Sequence, residues 1–251
     1  MEIQIRVSLL LSIVILCGLA NAQTEENYGI SSGFQIIDRY AIYDFYSMLT
    51  SQNIYDRRKA YMEFSDLLGG KSIIKNYNNE KDSVNKSIIT IIGYQLYPDS
   101  PIWKTRIIQF FRKPENEINR IWGECSKYGD YGCEFIPYLD ALGEISYTNE
   151  TAFNILCQLP SDAAVSEYKS EVICRVANKS PRYFLRQLKK FSKKDRFSPL
   201  SDIAFSLDEY NCSFIQECQK LVDKKDPELS NIALFSMRYV KKYFDDINKK
   251  D

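Results

Sequence analysis

"DPELSNIALFSMRYVKKYF", residues 226–244, decides the fold class of this chain. Leu229, Ile232, Ala233, Ser236, Val240, Tyr243 and Ile247 recur at steps of three and four, so they share one face of a helix. Asn231, Arg238, Lys241, Lys242 and Asp245 share the opposite face. Asp226 is placed to cap the helix, and Pro227 suits its first position, where a missing N–H costs nothing. The apolar stripe must be covered by further elements, so the stretch reads as one helix of a larger assembly.

Other segments repeat the arrangement. Phe34, Ile37, Ala41, Phe45, Met48 and Leu49 predict a helix of the same kind. "DSPIWKTRIIQFF" opens near Ser100-Pro101, "SPRYFLRQLKKF" at Ser180-Pro181, "SPLSDIAFSL" at Ser198-Pro199 and "TNETAFNILCQL" near Thr148. Each has a capping residue followed by proline or an acid, then an apolar stripe. "SIITIIGY" (87–94) is rich in β-branched residues and suits a strand by propensity, but its helical neighbours favour a buried helix. The expectation is an all-α chain of roughly a dozen short helices joined by turns of a few residues.

Short helices with short turns form antiparallel hairpins, and many in series stack into an α-solenoid. Asp226-Pro227-Glu228-Leu229, followed by Ala233 and Leu234, resembles the second helix of a HEAT-type repeat, although Ser230 stands where those repeats often carry arginine. The resemblance covers this one helix and implies a HEAT/armadillo-like array serving as a protein-binding scaffold. It carries over no catalytic residue. Quasi-repeats of roughly 38 to 45 residues along the chain fall in the range such repeats occupy.

The N-terminus points to export. Val7 to Leu19 is apolar but too short to span a bilayer, and Ala20-Asn21-Ala22 has the small-x-small form of a signal-peptidase site. Residues 1–22 are therefore expected to be a signal peptide cleaved near Ala22, residues 23–32 a loose leader and residues 33–251 one helical domain. The destination is periplasmic or secreted, with no transmembrane anchor expected. Six cysteines remain after Cys17: Cys125, Cys133, Cys157, Cys174, Cys212 and Cys218. An even count in an exported chain favours disulfides, with sequential pairing expected because Cys125 and Cys133 flank the turn "SKYGDYG". Sequons at Asn85, Asn149, Asn178 and Asn211 matter only in a eukaryotic host.

Composition excludes several chemistries. Histidine is absent, which removes Ser-His-Asp and Cys-His nucleophiles, histidine proton shuttles and histidine-ligated zinc. No C-x-x-C pair offers a cysteine metal site, and "LLGGKS" (67–72) lacks the upstream glycine of a phosphate loop. No cofactor or metal is expected. Carboxylates acting alone on a glycan are the remaining enzymatic option, with Asp130, Glu134, Asp140 and Glu144 as candidates and Trp122 and Tyr131 as sugar-stacking rings. Four carboxylates at helical steps more often form a solvated face, so the chain is read as a non-enzyme.

Charge order carries the remaining functional signal. Acidic and basic residues number 33 each, which argues against nucleic acid as partner. Yet Asp130 to Glu171 holds eight acids against Lys169, and Val172 to Arg196 holds nine bases against Asp195. Within the basic block, Arg182, Arg186, Lys189, Lys190 and Lys193 share one helix face, opposite Phe184, Leu188 and Phe191. Two readings follow: a solvated face neutralised by neighbouring acids, or a docking stripe for an acidic protein surface. The most specific expectation is a periplasmic inhibitor or immunity-type protein. The alternatives are a glycan-active enzyme using Glu134, Asp140 or Glu144, and a structural envelope component.

Overall fold

A computed structural model of the chain describes residues 47–63, 71–126, 135–160, 163–207 and 212–248, all within the compact unit Tyr43–Asp251. The expected signal peptide and leader lie outside the described residues, as does the Phe34–Leu49 helix up to Tyr46. Every regular element among the described residues is a helix: α1 (Ile54–Glu63), α2 (Lys71–Asn79), α3 (Ser83–Leu96), α4 (Pro101–Phe110), α5 (Glu115–Ser126), α6 (Phe135–Ser146), α7 (Glu150–Gln158), α8 (Ala163–Lys179), α9 (Pro181–Lys190), α10 (Phe197–Phe205), α11 (Ser213–Asp223) and α12 (Ser230–Asn248). None is long and apolar enough to cross a membrane.

The starts follow the expected chemistry with small shifts. Ser100 and Ser180 precede the prolines that open α4 and α9, although neither hydroxyl makes a capping bond. Asn149 rather than Thr148 caps α7, its Oδ1 accepting from the Ala152 N–H at 3.0 Å. α10 begins at Phe197, so Ser198-Pro199 falls inside its first turn. In the opening stretch, Asp226 Oδ1 accepts from the N–H groups of Glu228 and Leu229, and the regular helix starts at Ser230. The turn before it is a Schellman motif: Asp226 N–H bonds to Leu221 O, Lys225 N–H to Val222 O, and Lys225 takes φ 49°. Lys225 thus reverses the chain after α11, and Asp226 follows at once as the acceptor that holds the turn leading into α12.

Stretch 87–94 lies in α3, where Ile88, Ile89, Ile91, Ile92 and Tyr94 are all buried. α3 packs against α1, α2, α4, α5 and α6, so apolar residues are needed around its whole circumference and burial outweighs β propensity. Gly93 makes one of these contacts possible. A Cβ at that position would lie 2.4 Å from Cε2 of Trp103, which is itself fully buried. Gly93→Ala should therefore displace the indole and lower stability by about 1–3 kcal/mol. A urea midpoint unchanged from wild type would show that the helices separate at no cost.

Each helix packs on near neighbours in chain order. α6 packs on α3, α4, α7 and α8, α8 on α9, α10 and α11, and α12 on α9, α10 and α11. All principal helix contacts among the described residues join elements at most three positions apart. Phenylalanines bridge successive layers: Phe153 of α7 meets Phe184 of α9 edge-on at 5.2 Å, and Phe184 meets Phe214 of α11 at 5.4 Å.

Two buried polar knots tie helices of this series together. In the first, the Glu80 carboxylate is buried and accepts from Arg57 Nε (2.9 Å) and Nη2 (3.0 Å), Tyr61 OH, Asn85 Nδ2 and the N–H groups of Lys81 and Asp82. Asn85 also accepts from Arg58 Nε, so the amide of this sequon is occupied inside the fold and closed to glycosylation in the folded chain. In the second, Lys169 of α8, 5% exposed, donates to the Leu159 carbonyl that ends α7 (3.1 Å) and lies 3.6 Å from Asp202 of α10. Ser170 donates to the other Asp202 oxygen at 2.8 Å.

The expected disulfides among the described cysteines are corrected. None of Cys157, Cys174, Cys212 and Cys218 is joined in a disulfide. Cys157 lies within electrostatic reach of Lys169 on α8, whereas Cys174 is five residues further on, about 140° around that helix. Cys212 is the N-cap of α11 and Cys218 lies six residues on, a rise of about 9 Å along the axis and beyond disulfide reach. Cys125 belongs to α5, and Cys133 lies outside the described residues.

Candidate functional site

The five cations expected to form a surface stripe are Arg182, Arg186, Lys189 and Lys190 on α9 and Lys193 just beyond it, and all five are exposed. Phe184, Leu188 and Phe191 face the core, so the amphipathic reading of α9 is correct. The stripe is not uniform. Arg182 pairs with Glu217 of α11 at 2.7 Å, Arg186 with Glu228 at 3.4 Å and Lys190 with Glu150 of α7 at 2.6 Å. Arg175 of the basic block likewise pairs with Asp140 of the acidic block. Opposite charges from neighbouring helices thus neutralise much of what looks segregated along the chain.

Among the cations of the basic block with no carboxylate partner among the described residues, three sit together: Lys189, Lys193 and Arg196. Lys189 Nζ donates to the main-chain oxygen of Glu228 at 3.2 Å. Arg196 donates to the Leu188 and Lys189 carbonyls (3.1 and 2.8 Å), closing the C-terminus of α9 as a cation does at the negative end of a helix dipole. All three line one recess of about 280 Å³, completed by Pro227, Glu228, Asn231, Ile232 and Phe235. The Glu228 carboxylate that borders it lies against Arg186. Arg196 stands outside the helical repeat of α9, and its place in the recess comes from the turn into α10.

An aromatic row starts at the same recess. Phe235, Tyr239 and Tyr243 follow one another at helical steps of four on α12, with near-parallel rings 6.3 and 6.1 Å apart. Phe197 of α10 stacks on Tyr239 at 5.0 Å and lies 6.0 Å from Phe235. The Tyr239 hydroxyl shares a 3.0 Å hydrogen bond with Ser201, which fixes the row to α10. Phe197 and Tyr243 are 36% and 40% exposed, while Phe235 and Tyr239 are half-buried. Phe235 packs on Phe197 of α10 and also borders the recess.

The carboxylates considered for glycan chemistry serve other partners. Asp140 accepts from Tyr168 OH and is paired with Arg175, and Glu144 accepts from Tyr94 OH at 2.9 Å. Asp130, Tyr131 and Glu134 lie outside the described residues. Burial pushes the thiol of Cys157 upward, reinforced by Asp202, and pushes that of Cys218 up to about 12, so both stay protonated and unreactive at neutral pH. Two larger hollows, each about 590 Å³, lie elsewhere on the fold. One holds Arg175, bound to Asp140, and Lys179 over the Tyr147 ring, and the other is floored by the Arg57–Glu80 pair. Comparison with known proteins finds no matching family model, no similar curated protein and no similar solved structure.

Proposed function

We propose that this chain is an exported, non-catalytic binding scaffold. Its helices stack as antiparallel hairpins in an α-solenoid-like, HEAT/armadillo-like array, and the edge formed by α9 and the start of α12 docks an acidic surface of a protein partner. In its most specific form it is a periplasmic inhibitor or immunity-type protein that occludes an effector. The chain-order packing of the helices supports the array, since a solenoid unit contacts only its neighbours. The observation that carries the docking edge is the convergence of Lys189, Lys193 and Arg196, unmatched by acids, on one recess. Complementary charge at such an edge chiefly steers encounter and selects the partner.

The test begins with a pull-down from envelope extract and purification of the stoichiometric partner found by mass spectrometry. Lys189→Glu/Lys193→Glu/Arg196→Glu should then slow association about tenfold and flatten its dependence on salt. Arg182→Glu, whose charge is already matched by Glu217, should alter association much less. An unchanged association rate in the triple variant removes this edge as the docking surface.

A further inference from the structure

We propose that the recess and the aromatic row form one continuous site for a short acidic–aromatic segment of a partner protein. A carboxylate sits among Lys189, Lys193 and Arg196, and aromatic side chains two residues apart lie along Phe235, Tyr239 and Tyr243. The inference rests on the docking edge above and specifies what that edge recognises.

Three observations lead here. First, the recess of about 280 Å³ lies just below the range that holds whole small molecules, so it suits one side chain or chain end of a longer ligand. Its cations call for a carboxylate, and Arg196 is already held in place by two main-chain carbonyls. Second, Phe235 belongs to both features, so a ligand leaving the recess passes directly onto the row. Third, the ring spacings of 6.3 and 6.1 Å approach the roughly 6.6–6.8 Å between same-side residues of an extended chain. Bases of a nucleic-acid strand stack at about 3.4 Å and fall out of step with these rungs. Tyr239, tied to Ser201, keeps the row rigid, and an ordered aromatic surface loses little entropy on binding.

The experiment is fluorescence anisotropy on the purified full chain with three synthetic peptides. One carries three glutamates followed by Phe-Ser-Phe-Ser-Phe. The second has alanine for each phenylalanine, and the third serine for each glutamate. The first should bind about tenfold more tightly than either of the others. Lys193→Glu and Tyr243→Ala, both at exposed positions that the fold tolerates, should each weaken it by a similar factor. Equal binding of the first two peptides, indifference to Tyr243→Ala, or tighter binding of an oligothymidylate strand would overturn the inference. If the natural partner depends on Lys189, Lys193 and Arg196 while the acidic–aromatic peptide fails to bind, the segment is refuted and the docking edge stands. If the partner is also indifferent to those cations, both fall.

Discussion

Lys169→Met is expected to remove about 3–5 kcal/mol of folding stability, the range for deleting one member of a buried ion pair. That is a large part of the roughly 5–15 kcal/mol that holds a domain together. The size follows from what the ammonium touches. It lies 5% exposed between the carbonyl that ends α7 and the Asp202 carboxylate of α10, so one side chain of α8 ties together three helices. Methionine fills the same volume but leaves Asp202 charged and the Leu159 carbonyl without its donor. Lys169→Met/Asp202→Asn should lose less than the sum of the two single variants, because the second change removes the charge stranded by the first. Urea unfolding followed by helical circular dichroism measures all three. A single-variant loss under about 1 kcal/mol, the value typical of exposed pairs, would place Lys169 among ordinary surface charges.

The second large effect concerns Glu80 and acid. Burial alone would raise its carboxyl, but the bonds from Arg57, the Asp82 N–H and Asn85, together with the Arg57 charge, outweigh burial and hold it at about 2. The ordinary value is 4.5, so between the two the unfolded chain binds a proton that the folded chain refuses. The stabilisation is therefore complete above about pH 4.5 and is lost as pH falls toward 2. Allowing for solvent screening, the contribution at neutral pH is about 2 kcal/mol. Glu80→Gln should cost about 3 kcal/mol at pH 7, because the amide offers one acceptor oxygen where the carboxylate uses two, Oε1 for Arg57 Nη2 and the N–H groups of Lys81 and Asp82, and Oε2 for Arg57 Nε, Tyr61 OH and Asn85 Nδ2. It should also flatten the stability profile between pH 4.5 and 2. A variant whose profile still falls as steeply as wild type would assign that acid sensitivity to other carboxylates.

Much of the architecture was legible because helical periodicity is local. Leu229, Ile232, Ala233, Ser236 and Val240 are buried as the three-and-four spacing of the opening stretch requires. Tyr243, on the same face, is 40% exposed, and its ring continues the aromatic row. The α9 cations were legible as a face for the same reason. Their state was not, because Glu217, Glu228 and Glu150 reach them from 35 to 42 residues away in the chain. Arg196 left no periodic signal at all, since it acts from the turn between two helices. The cysteine count favoured disulfides, yet a count carries no distances, and the helix faces hold the described thiols apart.

The sequence by itself determined the helical class, the apolar faces and the absence of histidine chemistry, since these depend on residue type and on spacings of three and four. Only the tertiary structure decided which charges are cancelled. Ion pairing depends on separations of a few ångströms between side chains of different helices, and those are set by how the helices stack. That stacking leaves Lys189, Lys193 and Arg196 around one recess and carries Phe235, Tyr239 and Tyr243 away from it in a row.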